Sequence, residues 1–177
     1  MEIIKASQHQ PSKSFSYMFD TNIWLYIYGP VAGSNARKQR VYSNLLSAIL
    51  NRNATIFINS LILSEYINRV LRIGFDQWKN LTCNNVASYK YEYRKTKAYS
   101  ITLKDAIEQV KDILKIAQRI PDDFNSIDIN DVLDTMNQAA DYNDSYLVKC
   151  CEKANIKFVS DDRDICSLSS SITLIQA

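Results

Sequence analysis

Short apolar runs alternate with longer amphipathic stretches along this chain. Runs rich in β-branched and aromatic side chains predict buried strands at residues 14–19, 55–59, 156–160 and 172–176. Between these runs, apolar residues recur every three to four positions, which predicts helices at residues 21–28, 34–52, 61–73, from 102 up to Pro121, 129–138 and 142–154. Strands and helices in alternation are typical of α/β domains. We therefore predict a single α/β domain in which helices flank a central parallel sheet.

Individual residues mark helix ends in this pattern. Ser34 is placed to cap the N-terminus of the second helix, and Gly74 is placed to end the third. Thr102, followed three residues later by Asp105, resembles a capping box and predicts the start of the fourth helix. Residues 76–99 have a less regular pattern, which predicts one or two further helices.

The division of the chain follows from its polar stretches. Residues 1–13 are polar and predict a flexible N-terminal tail, and residues 14–177 form the predicted domain, with a helical insertion near residues 76–100. The longest apolar run, at residues 23–33, is too short to span a membrane, and the polar N-terminal stretch contains no apolar run of the kind found in secretory signals. The four cysteines include no C-x-x-C pair, which predicts reduced thiols in a cytoplasmic protein and disfavours a zinc site.

The composition excludes several kinds of catalysis. The only histidine is His9, in the polar N-terminal stretch, so the predicted domain has no Ser-His-Asp triad and no Cys-His pair. The three glycines form neither a G-x-G-x-x-G motif nor a phosphate-binding loop. Any chemistry must therefore come from carboxylates.

Charge is distributed unevenly along the chain. Residues 1–121 contain 17 basic and 8 acidic side chains, whereas residues 122–177 contain 4 basic and 11 acidic ones. A basic region can hold an anionic polymer and an acidic region can hold cations, a combination that suits a metal-dependent nuclease. Charged residues on exposed helix faces explain the same distribution without any function.

Acidic residues gather where the predicted strands end and the predicted helices begin. Because the carboxyl ends of parallel strands meet at one edge of a sheet, we expect these side chains to lie close together. Clustered carboxylates repel one another unless cations compensate them, and oxygen ligands suit Mg²⁺ or Mn²⁺. Each residue taken alone also fits a helix cap, an Asx turn or a solvated helix position. The residues are Asp20, Glu65, Asp141, Asp144, Asp161, Asp162 and Asp164.

Four fragments containing these acids resemble the motifs of the PIN domain family, named after the PilT N-terminus. They are Phe-Asp-Thr-Asn at 19–22, Ser-Glu at 64–65, Asn-Asp-Ser at 143–145 and Val-Ser-Asp-Asp-Arg-Asp at 159–164. They occur in the family's order over nearly the whole chain. Ser160 stands where the family often has Thr, Ile165 where it usually has Phe, and the interval between Glu65 and Asp144 is longer than in compact members.

The resemblance implies a metal-dependent ribonuclease with a parallel sheet. It implies that Asp20, Glu65, Asp144 and Asp162 form the catalytic set and bind Mg²⁺ or Mn²⁺, so that water attacks the phosphodiester bond of RNA. Asp161 remains an alternative to Asp162. The resemblance also suggests a toxin with an antitoxin protein as its partner, and a homodimer. The supporting residues are Asn22, Asp141, Ser160, Asp161 and Asp164.

Several basic residues are candidates for contacting RNA phosphates. Residues 89–99 interleave tyrosines with Lys and Arg, a pattern in which bases stack on aromatic rings while cations meet phosphates. Tyr89 and Tyr93 would also share one helix face, so core packing with an exposed basic side is the favoured alternative. The candidate cations are Arg37, Lys38, Arg40, Arg69, Arg72, Lys90, Arg94, Lys95 and Lys97.

Two other functions fit parts of the pattern. A PIN-like scaffold could bind RNA or protein without cleaving it, but such a scaffold has no reason to retain four acids. A response-regulator-like phosphoacceptor domain also gathers acids at strand ends. That function requires a lysine at the carboxyl end of a strand, and Lys157 lies at the opposite end of its predicted strand.

Overall fold

The computed structural model describes residues 1–31, 33–136 and 139–177. Within these ranges six strands form one sheet in the order β1-β6-β5-β2-β3-β4, and every neighbouring pair is parallel. This arrangement confirms the predicted α/β domain with a central parallel sheet. The strands are β1 Glu2–Lys5, β2 Ser16–Phe19, β3 Thr55–Ile58, β4 Gln118–Arg119, β5 Lys157–Val159 and β6 Thr173–Gln176.

Helices follow most of the strands and cover the sheet. In the described residues none of them is long and apolar enough to cross a membrane. Short 3-10 helices occur at Tyr93–Lys95 and Asp164–Ser167. The α-helices are α1 Thr21–Ile27, α2 Ala36–Asn51, α3 Ser60–Thr82, α4 Lys97–Ile116, α5 Ile129–Thr135 and α6 Tyr142–Lys153.

The core lies around the central strands β2 and β5. Met18 on β2 pairs in register with Phe158 on β5, which pairs in turn with Leu174 on β6, and all three side chains are fully buried. At the carboxyl edge, Phe19 is opposite Val159. The residues that follow these two strands therefore emerge side by side, and this register places the candidate site.

The N-terminus is ordered into the sheet, so the predicted flexible tail at residues 1–13 is wrong for residues 2–5. These residues form β1 and pair with Thr173–Gln176 of β6, whose backbone groups would otherwise be left at the sheet edge. Further along, the imidazole Nε2 of His9 is hydrogen-bonded to the hydroxyl of Tyr17 at 2.8 Å. Four mostly exposed residues give a weak sequence signal, which explains why the strand was not predicted.

Gly74 does not end α3, and Thr102 does not begin α4. A Cβ atom at Gly74 would lie 2.6 Å from the Thr102 methyl and from the Tyr93 hydroxyl, so glycine is needed here for close helix packing. The helix instead ends at Cys83, whose backbone is left-handed with φ of 52°. Helix α4 begins five residues before Thr102, capped by Thr96, whose hydroxyl accepts the N–H of residue 99 at 3.1 Å.

Two other helix ends differ from the sequence predictions. Asn35 rather than Ser34 caps α2, because the Asn35 side chain accepts the backbone N–H of Lys38 at 3.1 Å. Helix α5 ends at Thr135, earlier than the predicted end at residue 138. Residues 137 and 138 lie outside the described part of the chain.

Aromatic packing dominates the segment at residues 76–100, which comprises the end of α3, a turn-rich connection, a 3-10 turn and the start of α4. Tyr93 is fully buried, with ring centroids 5.3 Å from Phe75 and 5.5 Å from both Trp78 and Tyr99. Tyr89 packs against the Tyr93 ring at 5.7 Å. These contacts support the packing interpretation of the two tyrosines.

Candidate active site

Asp20 occupies the centre of the candidate site, at the step from β2 to α1. Its backbone N–H donates to the Val159 carbonyl at 2.9 Å, and its side chain caps α1 by accepting the Thr21 N–H at 2.6 Å. The other carboxylate oxygen accepts from the Ser160 hydroxyl at 2.6 Å and from the Asn22 amide at 2.8 Å. Three donors thus fix this carboxylate in one orientation.

Asp20 is only 7% exposed. Burial raises its pKa to about 7, while the hydrogen bond from Ser160 opposes that shift and the carboxylates of Glu65 and Asp144 add to it. A buried carboxylate next to other acids is costly to ionise, and a bound cation would remove that cost.

Glu65 reaches the site from the second turn of α3. Asn59 caps this helix by accepting the Ile62 N–H at 3.1 Å, which fixes where the helix begins after β3. The hydroxyl of Thr21 donates to Glu65 Oε2 at 3.0 Å. The first and second acidic positions are therefore linked through Thr21, the residue directly after Asp20.

Asp141 and Asp144 lie at the N-terminus of α6, where they form a capping box. Asp141 accepts the Asp144 N–H at 3.1 Å, and the Asp144 carboxylate accepts the Asp141 N–H at 3.3 Å. Burial raises the pKa of Asp144 to about 6, and the nearby charges of Asp141, Asp162 and Glu65 contribute to the rise. Asp144 thus takes part in the capping box and also lines the cleft that contains Asp20.

In the turn after β5, the side chains of the adjacent residues Asp161 and Asp162 have different surroundings. Ser160 is fully buried and accepts the Asp162 N–H at 3.1 Å, so the side chain of Asp162 lines the same cleft as Asp20. Asp161 instead accepts the Tyr42 hydroxyl at 2.8 Å and forms an ion pair with Lys38. Its backbone N–H donates to Asn22 at 3.4 Å. The geometry therefore favours Asp162 over Asp161 as the fourth acid.

Asp164 stands apart from the cleft. Its backbone N–H donates to Asp162 Oδ1 at 2.9 Å, which is the bond of an Asx turn, and its side chain is exposed. Asp164 therefore contributes to the shape of the turn through its backbone, and its carboxylate does not line the cavity.

The acidic cleft, as we call it here, is a cavity of about 120 Å³ at the carboxyl edge of the sheet. All of its charged groups are carboxylates except one guanidinium, that of Arg69, and carboxylate oxygens fit Mg²⁺ or Mn²⁺. Within the described ranges no three Asp, Glu, His or Cys side chains already form a coordination group. Its lining is Asp20, Thr21, Asn22, Leu25, Glu65, Arg69, Asp141, Asn143, Asp144 and Asp162.

The predicted basic residues fall into separate groups. Arg69 lines the acidic cleft, whereas Arg37 and Lys38 line a neighbouring cavity of about 290 Å³ together with Asp161 and Arg163. Three others lie over tyrosine rings: Arg72 over Tyr89, Lys90 over Tyr91 and Arg94 over Tyr99. The remaining candidates, Arg40, Lys95 and Lys97, are exposed on the surface.

Three residues of this region were not predicted from the sequence. Thr21 and Asn143 are adjacent to predicted acids and line the acidic cleft, so their position in the motifs is the signal that could have identified them. Tyr42 lies on α2, more than a hundred residues from the Asp161 that it contacts. No local pattern could have connected Tyr42 to the site.

Comparison with solved structures finds similar chains at low sequence identity. The crystal structure of VapBC2 from Rickettsia felis, bound to a DNA fragment from the VapBC2 promoter, contains a similar chain. The two chains superpose with a TM-score of 0.57 at 16% sequence identity, and the alignment covers 92% of this chain and all of the VapBC2 chain. PAE2754 from Pyrobaculum aerophilum has a TM-score of 0.48 and 15% identity, over 93% of this chain and 87% of that one. No curated protein matches the sequence. The sequence profile of the PIN domain matches residues 17–170, and the chain therefore belongs to the PIN domain family.

Proposed function

We propose that this chain is an endoribonuclease that requires Mg²⁺ or Mn²⁺ and hydrolyses phosphodiester bonds of RNA. The observation that supports it most strongly is the convergence of Asp20, Glu65, Asp144 and Asp162 on one cleft at the carboxyl edge of a parallel sheet. These acids come from four separate places in the chain. Family membership supports nuclease activity, and the choice of RNA rests on the resemblance to ribonucleases of this family.

The four carboxylates are the proposed ligands of the metal ion, which would supply the charge that activates water and stabilises the developing charge on the phosphate. Asn22 and Ser160 hold Asp20 by donating to the same oxygen, and Thr21 holds Glu65. These donors hold the two carboxylates in place at the cleft. No histidine would be required, since a bound ion would supply the activation of the attacking water.

The first test combines binding with cleavage. Titrating Mn²⁺ into the protein by calorimetry should show binding that weakens at least tenfold in Asp20→Asn. Cleavage of a labelled single-stranded RNA should require Mg²⁺ or Mn²⁺ and should stop with EDTA. Folded protein that binds RNA without cleaving it in either metal would contradict the proposal and favour the scaffold function.

We also propose, from the family resemblance, that the enzyme is a toxin with a small antitoxin protein as its partner and that it forms a homodimer. The structural similarity to a VapBC2 chain is consistent with such a pairing. The four cysteines are free, which suits action in the reducing cytoplasm. Co-expression with a small protein encoded next to the gene should yield a complex that no longer cleaves RNA. Light scattering of the isolated chain should give twice its 20.3 kDa mass.

A further inference from the structure

A second cavity opens beside the acidic cleft along α3. It has a volume of about 210 Å³, and we call it the α3 groove. Three of its residues, Glu65, Arg69 and Asn143, also line the acidic cleft, so the two cavities are continuous. A polymer with one bond in the cleft would pass through this groove. The groove is lined by Leu61, Ser64, Glu65, Asn68, Arg69, Arg72 and Asn143.

The two arginines of the α3 groove have free hydrogen-bonding capacity. Among the described residues every ion pair uses a lysine, and neither Arg69 nor Arg72 donates a side-chain hydrogen bond. Both side chains lie on the exposed side of α3. The guanidinium of Arg72 lies over the Tyr89 ring, 4.6 Å from its centroid. This contact positions the guanidinium and leaves its N–H groups available for hydrogen bonds.

The other groups in the groove suit a nucleobase better than an acidic peptide. Asn68 and Asn143 offer amides that both donate and accept hydrogen bonds, and Leu61 offers an apolar surface. A base needs both kinds of contact, and its phosphate needs the guanidinium groups. An acidic peptide would pair with the arginines, but its carboxylate side chains offer neither a planar ring for Leu61 nor hydrogen-bond donors for the amides.

We propose that the α3 groove is a nucleotide subsite of single-stranded RNA next to the bond that is cleaved. Arg69 and Arg72 bind the phosphate of that nucleotide, and Asn68 contacts the edge of its base. This inference rests on the proposed ribonuclease function and adds the part of the substrate that is recognised and the residues that recognise it.

The test compares Arg72→Gln and Asn68→Ala with the control Arg52→Gln. Arg52 is also exposed, but it follows α2 and precedes β3, so it lies at the opposite, amino edge of the sheet. Each arginine variant loses one positive charge, and any difference between them reports position rather than net charge. RNA affinity is measured in EDTA, and kcat and KM are measured in Mg²⁺ with substrates that vary the bases flanking the cleaved bond.

Arg72→Gln should weaken RNA affinity and raise KM about tenfold with a smaller change in kcat, whereas Arg52→Gln should change both less than threefold. Asn68→Ala should reduce the preference for particular bases at one flanking position and leave the other positions unchanged. The subsite would be overturned by equal effects of Arg72→Gln and Arg52→Gln together with unaltered base preference in Asn68→Ala, in an experiment where the wild-type protein cleaves RNA. Wild-type protein that never cleaves RNA would instead overturn the proposed function itself.

Discussion

At the scale of single residues, Ser160 connects the two halves of the candidate site. Its hydroxyl donates to Asp20 and accepts from the backbone N–H of Asp162, and it is completely buried. It also receives a longer hydrogen bond of 3.3 Å from Asn22. One hydroxyl therefore links the strand end that carries the first acid to the turn that carries the last.

Replacing Ser160 should impair cleavage more than it impairs folding. Ser160→Ala leaves a buried oxygen of Asp20 with one donor fewer, so we expect at least a tenfold loss of kcat and a loss of stability of about 1–2 kcal/mol. Ser160→Thr keeps the hydroxyl and should retain most of the activity. Cleavage kinetics and urea unfolding measure the two effects, and an active Ala variant would contradict this role.

Some residues of the site could be predicted from the sequence, and others could not. The acids, Asn22 and Ser160 were all predicted, because each lies in or near a short motif at a strand end or in the first turns of a helix. The choice between Asp161 and Asp162 could not be made from the sequence, since it depends on which side chain meets Tyr42 and Lys38 on α2. Those contacts join residues that are far apart in the sequence. The sequence of a turn does not indicate which way each of two adjacent side chains will point.

At the scale of elements, α2 holds the turn that follows β5. The Tyr42 hydroxyl donates to Asp161 and accepts the backbone N–H of Ala177 at 2.9 Å, so it joins α2 to that turn and to the residue after β6. Lys38, one turn earlier, pairs with the same carboxylate. Helix α2 contributes no residue to the lining of the acidic cleft, yet it fixes the segment that presents Asp162.

Removing the Tyr42 hydroxyl should lower kcat with little effect on KM. Tyr42→Phe frees Asp161 and loosens the turn, and we expect a several-fold loss of kcat and about 1 kcal/mol of stability. The matched control is Tyr66→Phe, which removes another buried tyrosine's hydroxyl, one that donates to Gln109 at 2.8 Å. Comparable losses of kcat in both variants would show that Tyr42 has no special role in positioning.

Helix packing explains why α3 was predicted too short. Glycine usually weakens a helix, but Gly74 lies where α3 approaches Thr102 and Tyr93 too closely for any side chain. The strands β2, β3, β5 and β6 were predicted within one or two residues, because their apolar runs are distinct. The start of α4 was missed because Thr102 directs its hydroxyl to its own helix, donating to the Ala98 carbonyl at 3.0 Å.

This packing predicts that two glycine substitutions change stability by different amounts. Gly74→Ala should lower the free energy of unfolding by about 2 kcal/mol, because overpacking outweighs the better helix propensity of alanine. Gly33→Ala should change it by less than about 1 kcal/mol, since no atom lies within 4 Å of the added Cβ. Urea denaturation measures both. Equal stability of the two variants would refute the close contact between α3 and α4.

At the scale of the whole molecule, hydrogen bonds to one carboxylate join the last α-helix to the loop before the last strand. Glu152 on α6 accepts the Ser171 N–H at 2.9 Å and the Ser171 hydroxyl at 2.7 Å, which ties the helix to the loop before β6. These hydrogen bonds, first from the backbone and then from the side chain, lower the pKa of Glu152 below its ordinary value of 4.5. The carboxylate is therefore stabilised in its charged form.

This lowered pKa predicts a pH-dependent contribution to stability. Its folded-state pKa lies below the unfolded-state value, so the contribution is present in full above the unfolded pKa and is lost as pH falls through the folded pKa. Glu152→Gln should lower the free energy of unfolding by about 1 kcal/mol or less at pH 7, and the difference should disappear in acid. A difference independent of pH would show that the carboxylate charge is not responsible. Glu108→Gln, which alters an exposed ion pair with Lys111, should have no measurable effect.

Comparing Asp162→Asn with Asp164→Asn tests directly whether the acidic cleft cleaves RNA. Both changes remove one carboxylate charge from the same turn, but only the Asp162 carboxylate lines the cleft. With Mg²⁺ or Mn²⁺ and a labelled single-stranded RNA, Asp162→Asn should reduce the cleavage rate at least a hundredfold, and Asp164→Asn should stay within about threefold of wild type. Similar rates for the two variants, or cleavage that persists in Asp162→Asn, would show that the acidic cleft does not cleave RNA.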